Sequence, residues 1–384
     1  MDVERLKWSW GLAERIGDEA ALHFYSTLFL ANPEIREMFP IGMAGQRDKL
    51  LSALGHIVSH VDATDELVPF LKQLGRDHRR FGVVAEHFPA VGEALIATLA
   101  HFLDDQWTEE LAEDWAAAFD VVAGVMNDAA TEAGQTSPPW WDAEVVAHER
   151  RSFDVAVLQI KPHYRLPYVP GQSMAVQCHL RPRQWRYLSP ANAPRPDGTI
   201  DLHVRHVAGG QVSAAIVHSV HVGDVLRLGA AVGRRLTLSP RADGLSASSR
   251  AVAERDLLML AGGTGLAPLK SIVEQVAAEG GRRRVHLYLG ARTERDLYDL
   301  KGMSQLAYEC PWLRIVPTVS DDPHAQDVAI GSVVDVALQH DSWLNHEIFV
   351  CGSEAMVMGS VNTLVQRGVT PDQIRYESFQ RPVE

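Results

Sequence analysis

Two kinds of chemistry share this chain. Leu67, Leu71, Leu74 and His78 recur at helical spacing, so the His78 imidazole projects from the apolar face of its helix. A lone histidine on such a face is more often a satisfied core residue than a metal ligand, but three neighbours shift the balance. Phe24-Tyr25, on an earlier helix, offers a phenol able to hydrogen-bond a small ligand. Phe39 sits at a helix corner, where its ring could wedge against a flat macrocycle. Gln46 stands four residues before Leu50, so the two share one helix face. This set reads as the two walls of a haem pocket. The second chemistry lies in Gly262-Gly263-Thr264-Gly265-Leu266-Ala267-Pro268, a glycine turn that follows an apolar strand and opens a helix. Backbone N–H groups at such a turn cradle phosphate. A helix cap in an α/β sheet is the bland alternative. Pro268 takes the place of the last glycine of the dinucleotide fingerprint, and suits a first helical turn, where no N–H is needed. Together the two sites lead us to expect electrons passing from a nicotinamide to iron.

His56 and His60, at i, i+4 spacing, raise a separate metal reading. Nothing acidic lies between them as in the zincin pattern, so they are taken as partly exposed helix residues near the haem edge.

The elements that must position these groups fall into three textures. Residues 1 to about 133 carry helical periodicity, with Leu50, Leu54, Ile57, Val58 and Val61 forming another stripe. Asn32-Pro33 should separate two helices, and Phe39-Pro40 with Gly42 and Gly45 marks a corner. Gly134 to Pro139 has a linker's composition. From about Glu144 to Leu238, short strands alternate with Pro and Gly turns: Asp154 to Ile160, Met174 to Cys178, Ile200 to His206 and Val225 to Leu228. This predicts an antiparallel barrel. Ala242 to Arg250 reads as a second boundary. Strands at Asp256 to Leu260, Val285 to Leu289, Leu313 to Val316 and Glu347 to Val350 then alternate with helices, as in a doubly wound parallel sheet. The expected fold is multidomain: all-α over 1–134, an antiparallel β-barrel over 145–245, and a doubly wound α/β domain over 253–384.

Composition narrows the class. The chain has 384 residues, 46% of them hydrophobic and 22% charged, with a formal charge of −13. That predicts globular domains and argues against nucleic acid, whose binding surfaces need clustered cations. The basic runs Arg79-Arg80 and Arg282-Arg283-Arg284 are too short to overturn this. Three scattered cysteines, Cys178, Cys310 and Cys351, exclude a disulfide framework or a cysteine-ligated metal and fit a reducing compartment. With no apolar signal core at the N-terminus and no long apolar run, the expectation is a cytoplasmic protein without a membrane span.

The helical region resembles the globin domain of flavohaemoglobins and of single-domain bacterial haemoglobins. The matching stretches are Phe24 to Phe29, Asn32-Pro33-Glu34, Met38-Phe39, Gln46 to Leu50, His78 to Val83 and His87 to Gly92. The resemblance implies haem b, with His78 as proximal ligand, Tyr25 and Gln46 hydrogen-bonding the bound ligand, Leu50 crowding it and Phe39 against the ring. Two positions depart from the commoner family pattern. Phe88 stands in place of a tyrosine and Ala130 in place of a glutamate, although Glu132 is nearby. Those partners would strengthen the proximal histidine as a donor, so a less strongly activating iron is expected.

The remainder resembles the ferredoxin–NADP reductase superfamily, through Tyr168 to Gln172, Arg186-Tyr187-Leu188-Ser189-Pro190-Ala191-Asn192, Gly209-Gly210-Gln211-Val212-Ser213, the glycine turn, Cys351 to Met356 and Tyr376 to Phe379. It implies FAD held by Arg186, Tyr187, Leu188, Ser189, Gly210 and Ser213. A nicotinamide cofactor would lie against Gly263, Thr264, Gly265, Leu266, Ala267 and Pro268, with Cys351-Gly352 beside its ring and Phe379 shielding the flavin. Leu188 occupies an aromatic slot and Ser173 follows Pro-Gly-Gln where an aromatic is common, and Tyr187 compensates only if the strand register shifts. Arg292 could meet a 2′-phosphate, but Glu294 and Asp296 would repel one, which favours NADH over NADPH.

In domain order the whole chain is similar to flavohaemoglobins, of a divergent actinobacterial-like group. The implied activity is NAD(P)H-dependent nitric oxide dioxygenation, with O2 and NO as small-molecule partners of a monomer. Two alternatives stand beside it: a haem–flavin oxidoreductase with another acceptor, and an O2 or NO sensor. The absence of an appended output domain weighs against the sensor.

Overall fold

The computed structural model describes residues 1–238 and 255–378. The chain divides into two compact units, Met1–Trp140 and Trp141–Glu384. Ala242 to Arg250 and Phe379 lie outside the described residues.

The first unit is all helix: α1 Val3–Ile16, α2 Asp18–Ala31, α3 Pro33–Arg36, α4 Ala44–Ser59, α5 Thr64–His78, α6 Phe88–Leu103 and α7 Glu109–Gly134. Local chemistry sets the breaks. The Asp2 carboxylate caps α1 by accepting from the Arg5 N–H at 3.1 Å, and the Thr108 hydroxyl caps α7 by accepting from Leu111 N–H at 3.2 Å. Pro33 needs no donor partner in the first turn of α3, so Asn32-Pro33 ends one helix and starts the next. The main core gathers Leu6, Trp10, Phe24, Leu28, Leu99 and Trp115. A second cluster packs Leu67, Leu71 and Met126 with Phe70, Leu74 and Phe88. At that crossing the helix carrying His78 meets α7 backbone to backbone. A Cβ on Gly75 would lie 2.1 Å from the Met126 carbonyl oxygen.

In the second unit, six strands form a sheet in the order β4-β3-β6-β1-β2-β5. They are β1 Trp141–Arg150, β2 Val155–Pro162, β3 Ser173–Cys178, β4 Arg186–Leu188, β5 Ile200–Arg205 and β6 Val225–Val232. Their ladders are antiparallel, and a single bridge from Pro190 to Leu202 joins the two outer strands, nearly closing a barrel. Trp141, Ala143 and Val145 alternate into the barrel core, so the first strand starts before the Glu144 read from sequence. Helix α8, Gln211–His218, fills the core with Val212, Ile216 and Val217.

The second sheet is parallel throughout, in the order β10-β9-β8-β7-β11-β12. Its strands are β7 Leu257–Gly262, β8 Val285–Ala291, β9 Leu313–Val319, β10 Ala329–Ile330, β11 Glu347–Gly352 and β12 Ile374–Ser378. Helices α9 Leu266–Ala278, α10 Leu300–Glu309, α11 Val333–His340 and α12 Glu354–Gln366 accompany it. Separate apolar cores, one with Met259, Leu287 and Phe349 and the other with Leu258, Leu260 and Val350, bury both faces of the central strands. That is why these strands read as unbroken apolar runs. No single helix among the described residues is long and apolar enough to cross a membrane.

The close crossing at Gly75 yields a test. A methyl there meets rigid backbone, so Gly75→Ala should cost about 1–3 kcal/mol by forcing α5 from α7. Thermal unfolding of the full chain should show helix loss several degrees lower, whereas Gly45→Ala, with nothing within 4 Å of its Cβ position, should leave the transition in place.

Candidate functional site

In the globin unit, Tyr25 is 5% exposed and boxed by aromatic rings, with centroids 5.0 Å from Phe24, 5.6 Å from Phe29 and 5.5 Å from Phe39. Its hydroxyl donates to the backbone carbonyl of Gln46 over a long 3.4 Å. The structure thus brings together Tyr25, Phe39 and Gln46, with the contact made through the Gln46 main chain. Burial pushes the Tyr25 phenol up to about 12, with Gln46 opposing part of the shift. The phenol is therefore a neutral donor at any ordinary pH. Leu50 and Phe24 line a small apolar cavity together with Trp10, Leu54, Leu95 and Leu99.

His78 ends α5, half-buried, with Nδ1 2.7 Å from the Leu74 carbonyl oxygen one turn back. A carbonyl only accepts, so Nδ1 carries the proton and the Nε2 lone pair is left for a metal. Burial pushes the His78 pKa down, which keeps the ring neutral. The donor set therefore fits an axial imidazole for haem iron, with a carbonyl as orienting partner. Phe88 packs in the apolar cluster with Leu71, Leu74 and Met126. His60 Nδ1 is spent on the His56 carbonyl at 2.9 Å, and no group of three or more metal-ligating side chains occurs among the described residues.

On the barrel, Pro-Gly-Gln is a built turn. Gly171 has φ +91°, and a Cβ there would lie 2.3 Å from the Leu236 carbonyl oxygen. The Gln172 amide donates to the Gly233 carbonyl at 3.1 Å and its oxygen accepts from Val169 N–H at 2.8 Å. Next to this turn, Ser173 Oγ is buried without a hydrogen-bond partner, an orphaned hydroxyl that a bound flavin nucleotide would satisfy. The strands pair in step, Met174 opposite Leu188, Ala175 opposite Tyr187 and Val176 opposite Arg186. No register shift brings Tyr187 to the face of Leu188, which packs on the barrel core. Arg186 is exposed, its guanidinium donating to the Trp185 carbonyl at 2.8 Å, and Ser189 is buried. At the start of α8 the Ser213 hydroxyl donates to the Gly210 carbonyl at 3.1 Å, and a Cβ on Gly210 would sit 2.6 Å from that hydroxyl.

The glycine turn lies at the carboxyl edge of the parallel sheet, where such folds bind ligands. Gly263 has φ +54°, a Cβ on Gly265 would lie 2.2 Å from the Cys351 carbonyl oxygen, and one on Gly352 would lie 3.1 Å from Gly262 Cα. Two strand ends therefore meet as bare backbone before helix α9, whose first turn holds Leu266, Ala267 and Pro268. This cradle is closed by any side chain, and it suits a dinucleotide phosphate. Cys351 is fully buried, and its burial pushes the thiol well up, with the nearby Glu377 carboxyl adding to the rise.

Sequence reading missed the seam that joins the barrel to the sheet. The Asn192 carbonyl accepts from Ser271 Oγ at 2.7 Å and from Tyr168 Oη at 3.0 Å, while Ala193 N–H donates to Glu274 at 3.0 Å. His203 Nδ1 lies 2.7 Å from Tyr298 Oη, and Lys270 lies 2.7 Å from Asp299. Arg205 Nη1 stands 3.3 Å from the Cβ position of Gly263. The signal available was a histidine, His203, on the buried face of a strand.

Known proteins show the same assembly. Residues 22–126 match the Globin family model, 142–235 the Oxidoreductase FAD-binding domain and 259–362 the Oxidoreductase NAD-binding domain. A flavohemoprotein of Bordetella parapertussis is 26% identical over 94% of both chains. The crystal structure of a flavohemoglobin from Malassezia yamatoensis, with bound FAD and haem, superposes with a TM-score of 0.74 at 18% identity, covering 98% of each chain. The FAD/NAD-binding domain of a nitric oxide dioxygenase from Vibrio cholerae matches 62% of this chain and 98% of its own at 20% identity and a TM-score of 0.54. Fold and domain set define a haem–flavin oxidoreductase, with globin, FAD-binding and NAD-binding parts. The chain has the domain set and order of flavohaemoglobins, a globin followed by FAD-binding and NAD-binding oxidoreductase domains, and is similar to flavohemoproteins along nearly its whole length.

The Tyr25 environment predicts a titration. A phenol raised from 10.0 to about 12 in the folded chain favours folding below pH 10, and that contribution is lost as pH rises through about 12. Ultraviolet titration should give the same phenolate signal for wild type and Tyr25→Phe near pH 10, parting only towards about 12. A difference already present near 10 would mean that Tyr25 is solvated.

Proposed function

We propose that this protein is an NAD(P)H-dependent nitric oxide dioxygenase, turning one reduced nicotinamide, two O2 and two NO into two nitrates, oxidised nicotinamide and a proton. The observation that carries the reading is the His78 imidazole, its Nδ1 committed to Leu74 O and its Nε2 lone pair free, in the unit that also buries the Tyr25 phenol. Haem and FAD, when bound, supply the redox chemistry. His78 would hold the iron, Tyr25 and Gln46 would orient the gas, Leu50 would limit its room and Phe39 would flank the ring. Tyr25 serves as a donor that keeps its proton at working pH. Arg186, Tyr187, Leu188, Ser189, Gly210 and Ser213 would hold FAD, with Ser173 adding a buried hydroxyl. The backbone of Gly263 to Pro268 would hold the nicotinamide cofactor's phosphates, with Cys351 and Gly352 by its ring. The domain limits 1–134, 145–245 and 253–384, a monomeric state and a cytoplasmic location belong to the same reading. NADH is the favoured donor, because Glu294, Asp296 and Asp322 follow the strand ends, with Glu294 N–H donating to Asp322 at 3.3 Å.

A second reading is supported by the proximal side. Phe88 and Ala130 supply no acceptor to His78, and Leu188 gives the flavin no aromatic face. Partners of a metal-bound histidine are worth roughly 10- to 100-fold in activity. An oxidoreductase with weak NO turnover and another acceptor follows from this.

Mixing the oxygenated ferrous protein with NO in a stopped-flow instrument separates the two. The first reading expects stoichiometric nitrate, sustained by NADH. Little nitrate, with NADH consumption unaffected by NO, would overturn it. Phe88→Tyr should speed turnover if the proximal side is what limits it.

A further inference from the structure

The seam between barrel and parallel sheet contains a buried ring pair, His203 and Tyr298, that the proposed chemistry does not use. His203 lies on β5 and is 4% exposed. Its Nδ1 shares a 2.7 Å hydrogen bond with Tyr298 Oη, and the rings meet edge to face with centroids 5.4 Å apart. Burial holds the imidazole down at about 3 and pushes the phenol well above its ordinary range, so both stay neutral at working pH. Around them, Asp299 is buried against Lys270 at 2.7 Å and Arg151 at 4.0 Å.

Position gives this pair more than a stapling role. Two residues along the same strand, Arg205 reaches the Gly263 turn, and it is itself held by Asp154 at 2.7 Å. On the other side, Tyr298 adjoins Asp299, which binds Lys270 of the helix that the glycine turn opens. His203 shares β5 with Arg205, which lies near the glycine turn and stands 4.0 Å from Asp296. A hydrogen bond shut away from water has one good geometry, and either partner alone would be a buried polar group without a mate.

We propose that the His203–Tyr298 hydrogen bond is a positioning device for hydride transfer, fixing the flavin barrel against the nicotinamide sheet at the spacing the reaction needs. This rests on the nicotinamide-to-flavin reading above. The step it serves breaks the C4–H bond of the dihydronicotinamide and forms an N5–H bond on the flavin. The hydride carries both electrons, leaving oxidised nicotinamide and a reduced flavin with one added negative charge. Reacting atoms must stand close to contact distance, and a misplacement of about 1 Å can cost on the order of 100-fold.

The test uses the full chain with FAD and haem bound, mixed anaerobically with NADH, and with NADH deuterated at C4, while flavin bleaching is followed. Tyr298→Phe removes one oxygen and keeps the ring. Bleaching at saturating NADH should slow about tenfold, with half-saturation and flavin content close to wild type and an isotope effect at least as large. His203→Ala deletes the same bond from the barrel side and should do the same. The double variant should be no slower than the worse single one, because both remove one interaction. Wild-type bleaching in either folded variant overturns the proposal, and so does loss of flavin from both, which would make the pair a structural staple. If wild type itself is bleached by neither NADH nor NADPH, the functional reading fails instead.

Discussion

Close approach of bare backbone is the constraint on which both halves of this molecule depend. Gly75 lets α5 lie against the Met126 carbonyl one turn before His78, and Gly265 lets the glycine turn lie against the Cys351 carbonyl. In each case a Cβ would stand little more than 2 Å from a carbonyl oxygen. The two contacts fix main chain, which has no rotamers to relax. Placing His78 and the glycine turn beside such contacts ties their position to the packing of whole helices and strands.

The polar groups around these sites share another property: they are wholly or partly buried with few hydrogen-bond partners. His78 leans on one carbonyl, Tyr25 on one long bond to a carbonyl, and Ser173 on nothing. Burial keeps the imidazole and the phenol in their neutral forms, so the globin unit presents a lone pair on one element and a hydrogen-bond donor on another across a wide range of pH. The apolar packing of Phe88 beside Leu74 leaves the basicity of His78 to the Leu74 carbonyl.

Much of the architecture was legible in the sequence because it follows from periodicity. The Leu67-Leu71-Leu74-His78 stripe became the face of α5, and the apolar run before Gly262 became a central parallel strand. The Asn32-Pro33 break fell where proline's missing donor demands. The contact between Tyr25 and Gln46 runs through the Gln46 main chain, which no side-chain pattern reveals. The strands at Ala329–Ile330 and Ile374–Ser378 were not read, because the first is two residues long and both exist only through pairing with neighbours in the assembled sheet. The His203–Tyr298 pair was invisible for the same reason: its members are far apart in sequence and meet only where barrel and sheet are docked.

The central claim is that one polypeptide conducts electrons from a nicotinamide through a flavin to a histidine-bound haem. Anaerobic addition of NADH to the ferric, FAD-loaded protein, with the Soret band followed in time, tests it most directly. Flavin bleaching and conversion of the haem to the ferrous form, completed by carbon monoxide trapping, are expected. Flavin bleaching with a Soret band that stays ferric would contradict it.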